Sequence, residues 1–122
     1  QSIYKFGTYT VRAKEEEEAE KLMDDALLLE RIGCFAIVLE KVPAKLAKKV
    51  ADALTIPVIG IGAGNGVDGQ VLVTHDMIGM THEFHPRFLR RYLELYADMT
   101  GAFKNYIADV KSGDFPSDKE QY

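Results

Sequence analysis

The sequence predicts an α/β fold built on a parallel sheet, and three observations lead there. Two continuous apolar runs, Phe35-Ala36-Ile37-Val38-Leu39 and Val58-Ile59-Gly60-Ile61, have the length and β-branched content of strands buried on both faces. Helical patterns precede and separate them, so the order is helix, strand, helix, strand, the alternation that builds parallel sheets. The first run stops on a carboxylate, Glu40. An ionised carboxylate is costly to bury unless it is paired, bound to a metal or used in chemistry. The C-terminal tip of a parallel strand is also where α/β folds keep their reactive groups. The plainer alternative is that Glu40 marks the strand's exit into water.

Taken in order, Ile3 to Val11 is rich in Tyr, Phe, Thr and Val around Gly7, a composition for extended structure or a loop. Lys14 to Ile32 reads as a helix. Ala19, Leu22, Met23, Ala26, Leu27 and Glu30 follow helical spacing, and Leu29 and Ile32 widen the stripe. Glu15 to Glu18 fall in its first turns, where negative charge complements the macrodipole. A solvated helix start explains these four acids better than a cation site. Gly33 is placed to form a left-handed C-cap. Pro43 suits the first turn of a second helix with Ala47, Val50, Ala51 and Leu54 inward and Lys45, Lys48 and Lys49 outward. Thr55-Ile56-Pro57 ends it.

Gly64 to Gly69 matches G-x-G-x-x-G after a strand, but the dinucleotide fingerprint needs a long helix to open from that loop. Here Gln70-Val71-Leu72-Val73-Thr74 follows and reads as a third strand, which argues against a nucleotide site. Glycines also let a backbone pass close to a ligand or a neighbouring segment, so a tight loop rimming a pocket is the reading kept. Parallel strands ordinarily need a crossover of about a dozen residues, and residues 62–70 leave room for only a stunted helix.

His75-Asp76 closes the third strand, and Asp76 either faces the same pocket as Glu40 or caps the next turn. His82 and His85 form H-x-x-H, a pair without a third ligand and therefore weak grounds for zinc. Pro86 is read as opening a helix through about Ala97, with a second from about Met99 to Lys111, both rich in aromatics. Residues 112–122, with Gly113 and Pro116, read as a tail on a single domain spanning 1–122.

Bulk properties narrow the function classes. With 122 residues, 47% hydrophobic and 28% charged, the chain has ordinary globular composition and enough length for a core. A net charge of −4 gives no electrostatic case for nucleic acid or an anionic membrane. No apolar run reaches transmembrane length and nothing resembles a signal peptide. The one cysteine, Cys34, reads as a small buried hydrophobe in a reducing cytoplasm. A start at Gln1 rather than Met suggests a segment of a longer protein.

Several motifs together resemble one family. Val38-Leu39-Glu40 followed by Val42-Pro43, Ile56 to Gly64, Asp68 to Val73 with His75-Asp76, and the closing Val110 to Pro116 are similar to the C-terminal half of the ketopantoate hydroxymethyltransferases. The resemblance runs over nearly the whole chain. It implies the C-terminal part of a (β/α)8 barrel, about three parallel strands with helices and then two C-terminal helices. It further implies transfer of a hydroxymethyl group from 5,10-methylenetetrahydrofolate to the 2-oxo acid 3-methyl-2-oxobutanoate, giving ketopantoate for pantothenate and coenzyme A. By the same resemblance Mg²⁺ holds the oxo acid, through ligands in the N-terminal half, and Glu40 is the proton acceptor. The implied partners are that N-terminal half of the barrel and further copies, commonly in a decamer, with neither nucleic acid nor membrane. Alternatives are another enzyme of the phosphoenolpyruvate mutase and isocitrate lyase barrel group, or a non-catalytic assembly module. His75, Asp76, His82 and His85 take no role from the resemblance.

Overall fold

The computed structural model describes residues 16–122, so the extended reading of Ile3 to Val11 and the start of the first helix at Lys14 lie outside the described residues. The chain divides into two compact units, Gln1–Leu72 and Val73–Tyr122. No helix among the described residues is long and apolar enough to cross a membrane.

In the first unit the order is α1 (Glu16–Arg31), β1 (Ile37–Glu40), α2 (Ala44–Ala53), β2 (Val58–Ile61) and β3 (Gly69–Gln70). The three strands form one parallel sheet in the order β1-β2-β3. Gly33 ends α1 with φ +96°, its N–H donating to the Glu30 carbonyl while Cys34 N–H donates to Leu29. This paired closure is the Schellman arrangement, and glycine takes that left-handed φ without steric cost.

Ile37 and Leu39 of β1 and Val58 of β2 point into the core, where they meet Ala26 of α1, Ala47 and Val50 of α2, and Leu54. Leu22 and Met23 of α1 and Ala51 of α2 pack against that cluster. The expected inner stripe of α2 is therefore present, whereas Leu27 and Leu29 of α1 and Ile32 just after it lie outside the core and stay exposed.

Two strand expectations are corrected. The first apolar run is not buried on both faces: β1 alternates, and Val38 is 61% exposed and Phe35 90% exposed. Among the described residues helices pack on one side only, because α1 and α2 join the same core cluster. The third strand is also shorter and earlier than Gln70 to Thr74. It comprises Gly69 and Gln70, Val71 adds one N–H donated to Gly60, and Thr74–Met77 turns into a short helix, α3.

The second unit holds α3 and α4 (Leu95–Ser112). The expected helix from Pro86 to Ala97 is absent, and one 18-residue helix stands where two were predicted. The amides that would have continued a helix find other carbonyls. Tyr92 N–H donates to Met77, Leu95 to Ile78 and Tyr96 to Gly79. Arg91 adds a second anchor, its Nη2 donating to the carbonyls of Thr81 (2.7 Å), His82 (2.9 Å) and Phe84 (3.3 Å). Apolar periodicity alone does not reveal either set of contacts. α4 closes at Gly113 with φ +78°, and the tail follows.

Candidate functional site

The C-terminal edge of the sheet carries Glu40. Register pairs Val38 with Ile59 and Glu40 with Ile61, so these four side chains share the sheet face turned away from α1 and α2. Gly69, paired with Ile59, belongs to the same face, and a Cβ there would come within 2.8 Å of Ile59 Cδ1. The glycine thus clears room for an isoleucine. The result is an apolar surface of Val38, Ile59 and Ile61 with one carboxylate at its tip. On the opposite face Gly60 and Gln70 pair on the helix side.

Glu40 is exposed. Immediately after it the chain bends. Lys41 has φ +53°, left-handed for a non-glycine residue, and its N–H donates to the Ile61 carbonyl at 2.9 Å. Val42 then drops into the core, and Pro43 precedes α2 with its carbonyl accepting from Leu46 and Ala47.

The glycine-rich segment forms no helix between β2 and β3. It runs along α2 instead. Gly64 abuts Ala44 at the helix start, and Gly66 lies against Lys48 one turn further on, where an added Cβ would be 3.0 Å from the lysine Cβ. Ala63 is fully buried. Asp68 then closes the return, its N–H donating to the Val58 carbonyl and its Oδ2 accepting the Val58 N–H at 2.8 Å. These glycines serve close packing of backbone on a helix, which is how so short a parallel connection is possible.

The remaining sequence candidates fall in the second unit. Asp76 lies within α3 rather than at a strand end, and its carbonyl accepts from Gly79. The His75 carbonyl accepts from Met80 at 2.8 Å. His82 stacks on Tyr96 with ring centroids 4.5 Å apart, and meets His85 edge-on at 6.5 Å. Among the described residues no three His, Cys, Asp or Glu side chains gather as a metal site. The described part of this chain therefore offers a magnesium ion no ligand cluster.

Sequence reasoning missed Glu30, which it treated as the polar end of a helical stripe. Its Oε1 accepts hydrogen bonds from Thr55 N–H (2.6 Å), Thr55 Oγ1 (2.8 Å) and Ile56 N–H (3.2 Å). These bonds, the Thr55 amide foremost, hold its carboxyl below the usual carboxylate range. No local signal marks it, because the partner lies 25 residues away.

A parallel α/β unit with a carboxylate at the C-terminal end of a strand fits the class of α/β enzymes, which keep their reactive groups at strand tips. Comparison with known proteins makes this specific. Residues 1–118 match the family profile described as ketopantoate hydroxymethyltransferase, and the chain belongs to that family. It is 79% identical over 122 residues to the 3-methyl-2-oxobutanoate hydroxymethyltransferase of Christiangramia forsetii. The corresponding proteins of Flavobacterium johnsoniae and Phocaeicola vulgatus are 72% and 70% identical over the same length. In each case all of this chain is covered and 45% of the relative, so the chain spans about half the length of the curated relatives it matches.

Proposed function

We propose that this chain is the C-terminal part of a ketopantoate hydroxymethyltransferase and that Glu40 is its catalytic base. Family membership supports the reaction. The observation that carries the residue assignment is the place of Glu40, the one charged residue among the described residues on a sheet face shared with Val38, Ile59, Ile61 and Gly69. That surface suits the branched hydrocarbon end of 3-methyl-2-oxobutanoate. The carboxylate takes the proton from carbon 3, leaving an enolate whose carbon 3 bonds to the methylene carbon of 5,10-methylenetetrahydrofolate. Both carbon–nitrogen bonds to that carbon break, water supplies the oxygen of the new hydroxyl, and tetrahydrofolate leaves with its two nitrogens protonated. A base fixed on a strand tip is held more rigidly than one on a loop, and proton transfer by a positioned side chain contributes about 10²–10⁴-fold.

The proposal places the Mg²⁺ ligands in the rest of the full-length enzyme. When bound there, the ion would acidify carbon 3 through the oxo acid's oxygens. It also keeps two partners. The remaining strands of a (β/α)8 barrel would pair with the open edges at β1 and β3. Further copies in a homo-oligomer would cover apolar groups exposed on α4 such as Phe103, Tyr106 and Ile107. The chain by itself is then inactive. Family membership favours this transfer over the mutase and lyase chemistry of related barrels.

The test is exchange of the carbon-3 proton of the oxo acid into deuterated solvent, without folate, by the complete enzyme. Glu40→Gln should still bind the oxo acid but exchange it far more slowly. Exchange at the unmodified rate would remove Glu40 from the base role.

A further inference from the structure

We propose that Gly64 is a positioning residue for Glu40, acting through the turn that follows the strand tip. The inference rests on the reading of Glu40 as the base, and it addresses how that base is aimed. The orientation of Glu40 depends on the backbone on either side of it. On the strand side the ladder with β2 holds it in register with Ile61. On the other side the chain passes within four residues from Glu40 to Ala44, through the left-handed Lys41, the buried Val42 and Pro43.

That turn is held from outside by the glycine-rich segment. Lys41 N–H donates to the carbonyl of Ile61, the last residue of β2. Three residues later Gly64 presses on Ala44: a Cβ added at Gly64 would collide with the Ala44 Cβ and lie 3.1 Å from its Cα. Gly64 also has φ +79°, which side chains rarely adopt. Its carbonyl in turn accepts a hydrogen bond from Gln70 Nε2 at 2.8 Å, tying the loop to β3. β2 thus reaches the Glu40 turn through the Ile61 carbonyl, and β3 steadies Gly64 through Gln70. A side chain at Gly64 forces the loop and the start of α2 apart, and the start of α2 is continuous with the turn that aims the carboxylate.

The experiment uses the complete enzyme and compares Gly64→Ala, Gly64→Ala combined with Ala44→Gly, and Gln70→Leu, with Glu40→Gln as control. Carbon-3 proton exchange, the oxo acid KM and the thermal midpoint are measured for each. Misplacement of a catalytic group by about 1 Å costs about 10²-fold. Gly64→Ala should therefore lower exchange about 10–100-fold per folded enzyme while the oxo acid KM changes little. Removing the Ala44 Cβ should restore part of the loss, because the collision is relieved. Gln70→Leu, which only frees the loop, should lower exchange in the same sense by a smaller factor. Exchange within about twofold of the parent in both Gly64→Ala and Gln70→Leu would overturn the inference, since so small a change falls below the loss expected of a misaimed base. So would a loss in Gly64→Ala that Ala44→Gly does not relieve. A lowered thermal midpoint with unchanged exchange would make the contact purely structural. If Gly64→Ala does not fold, Gln70→Leu alone decides. Normal exchange in Glu40→Gln would instead refute the base assignment itself, whatever the Gly64 variants do.

Discussion

The Glu30 carboxylate reaches from the last turn of α1 to Thr55 at the entrance of β2, accepting the backbone N–H at 2.6 Å and the hydroxyl at 2.8 Å. Together with the Ile56 N–H it satisfies amides that no strand partner covers. The ionised form makes these bonds best, so the folded state holds this carboxyl below its ordinary value of 4.5.

The sign of the pH effect follows. A carboxyl with a depressed folded-state pKa adds stability that is fully present above its unfolded value and is lost as pH falls through the folded one. Denaturant midpoints of the parent and Glu30→Gln should therefore differ most at neutral pH and converge as pH drops below the ordinary carboxylate range. A gap that stays constant with pH would count against this assignment.

Catalysis should respond to Glu40 far more than binding does. The expected loss in Glu40→Gln is about 10²–10⁴-fold in proton exchange, with oxo acid affinity preserved, because amide and carboxylate are nearly equal in size. Isothermal titration with the oxo acid checks the second half. A large loss of affinity would assign Glu40 to substrate binding instead.

Val50 tests the core. It is fully buried among residues of the central cluster, where α2 meets the sheet. Val50→Ala removes two methyl equivalents and leaves a cavity, so unfolding should become easier by about 2 kcal/mol. The outward Lys49→Ala should change stability by less than about 0.5 kcal/mol. Comparable effects at the two positions would contradict the one-sided packing of α2.

Arg91 should act as the fastener of the loop from Thr81 to Phe84. Its side chain is 15% exposed, and one Nη2 serves three carbonyls, a geometry that a lysine ammonium does not reproduce. Its contact with Glu94 at 3.5 Å, with that partner 69% exposed, adds little. Arg91→Lys should speed hydrogen exchange of amides in and around that loop, while α4 beyond about Thr100 keeps its protection. Unaltered exchange in the loop would show that the backbone contacts of Tyr92, Leu95 and Tyr96 suffice.

Much of the first unit is legible from local pattern. The stripe at Ala47, Val50 and Leu54, the glycine cap after Arg31, and the apolar runs ending at Glu40 and Ile61 each depend on residues within a few positions of one another. Helical and strand periods are local properties, and that is why they can be read along a chain. Glu40 is placed at a strand tip by the same reasoning, and motif resemblance assigns it a task. Only the tertiary structure decides the contacts between segments far apart. It turns the glycine-rich stretch into a strip lying on α2, sends Glu30 to Thr55, and replaces the expected helix after Pro86 with a loop wrapped on Arg91. It also gives β1 one buried face and one exposed face. Composition shows that a residue is apolar or can form a hydrogen bond, but the partner that satisfies it is chosen by packing in three dimensions.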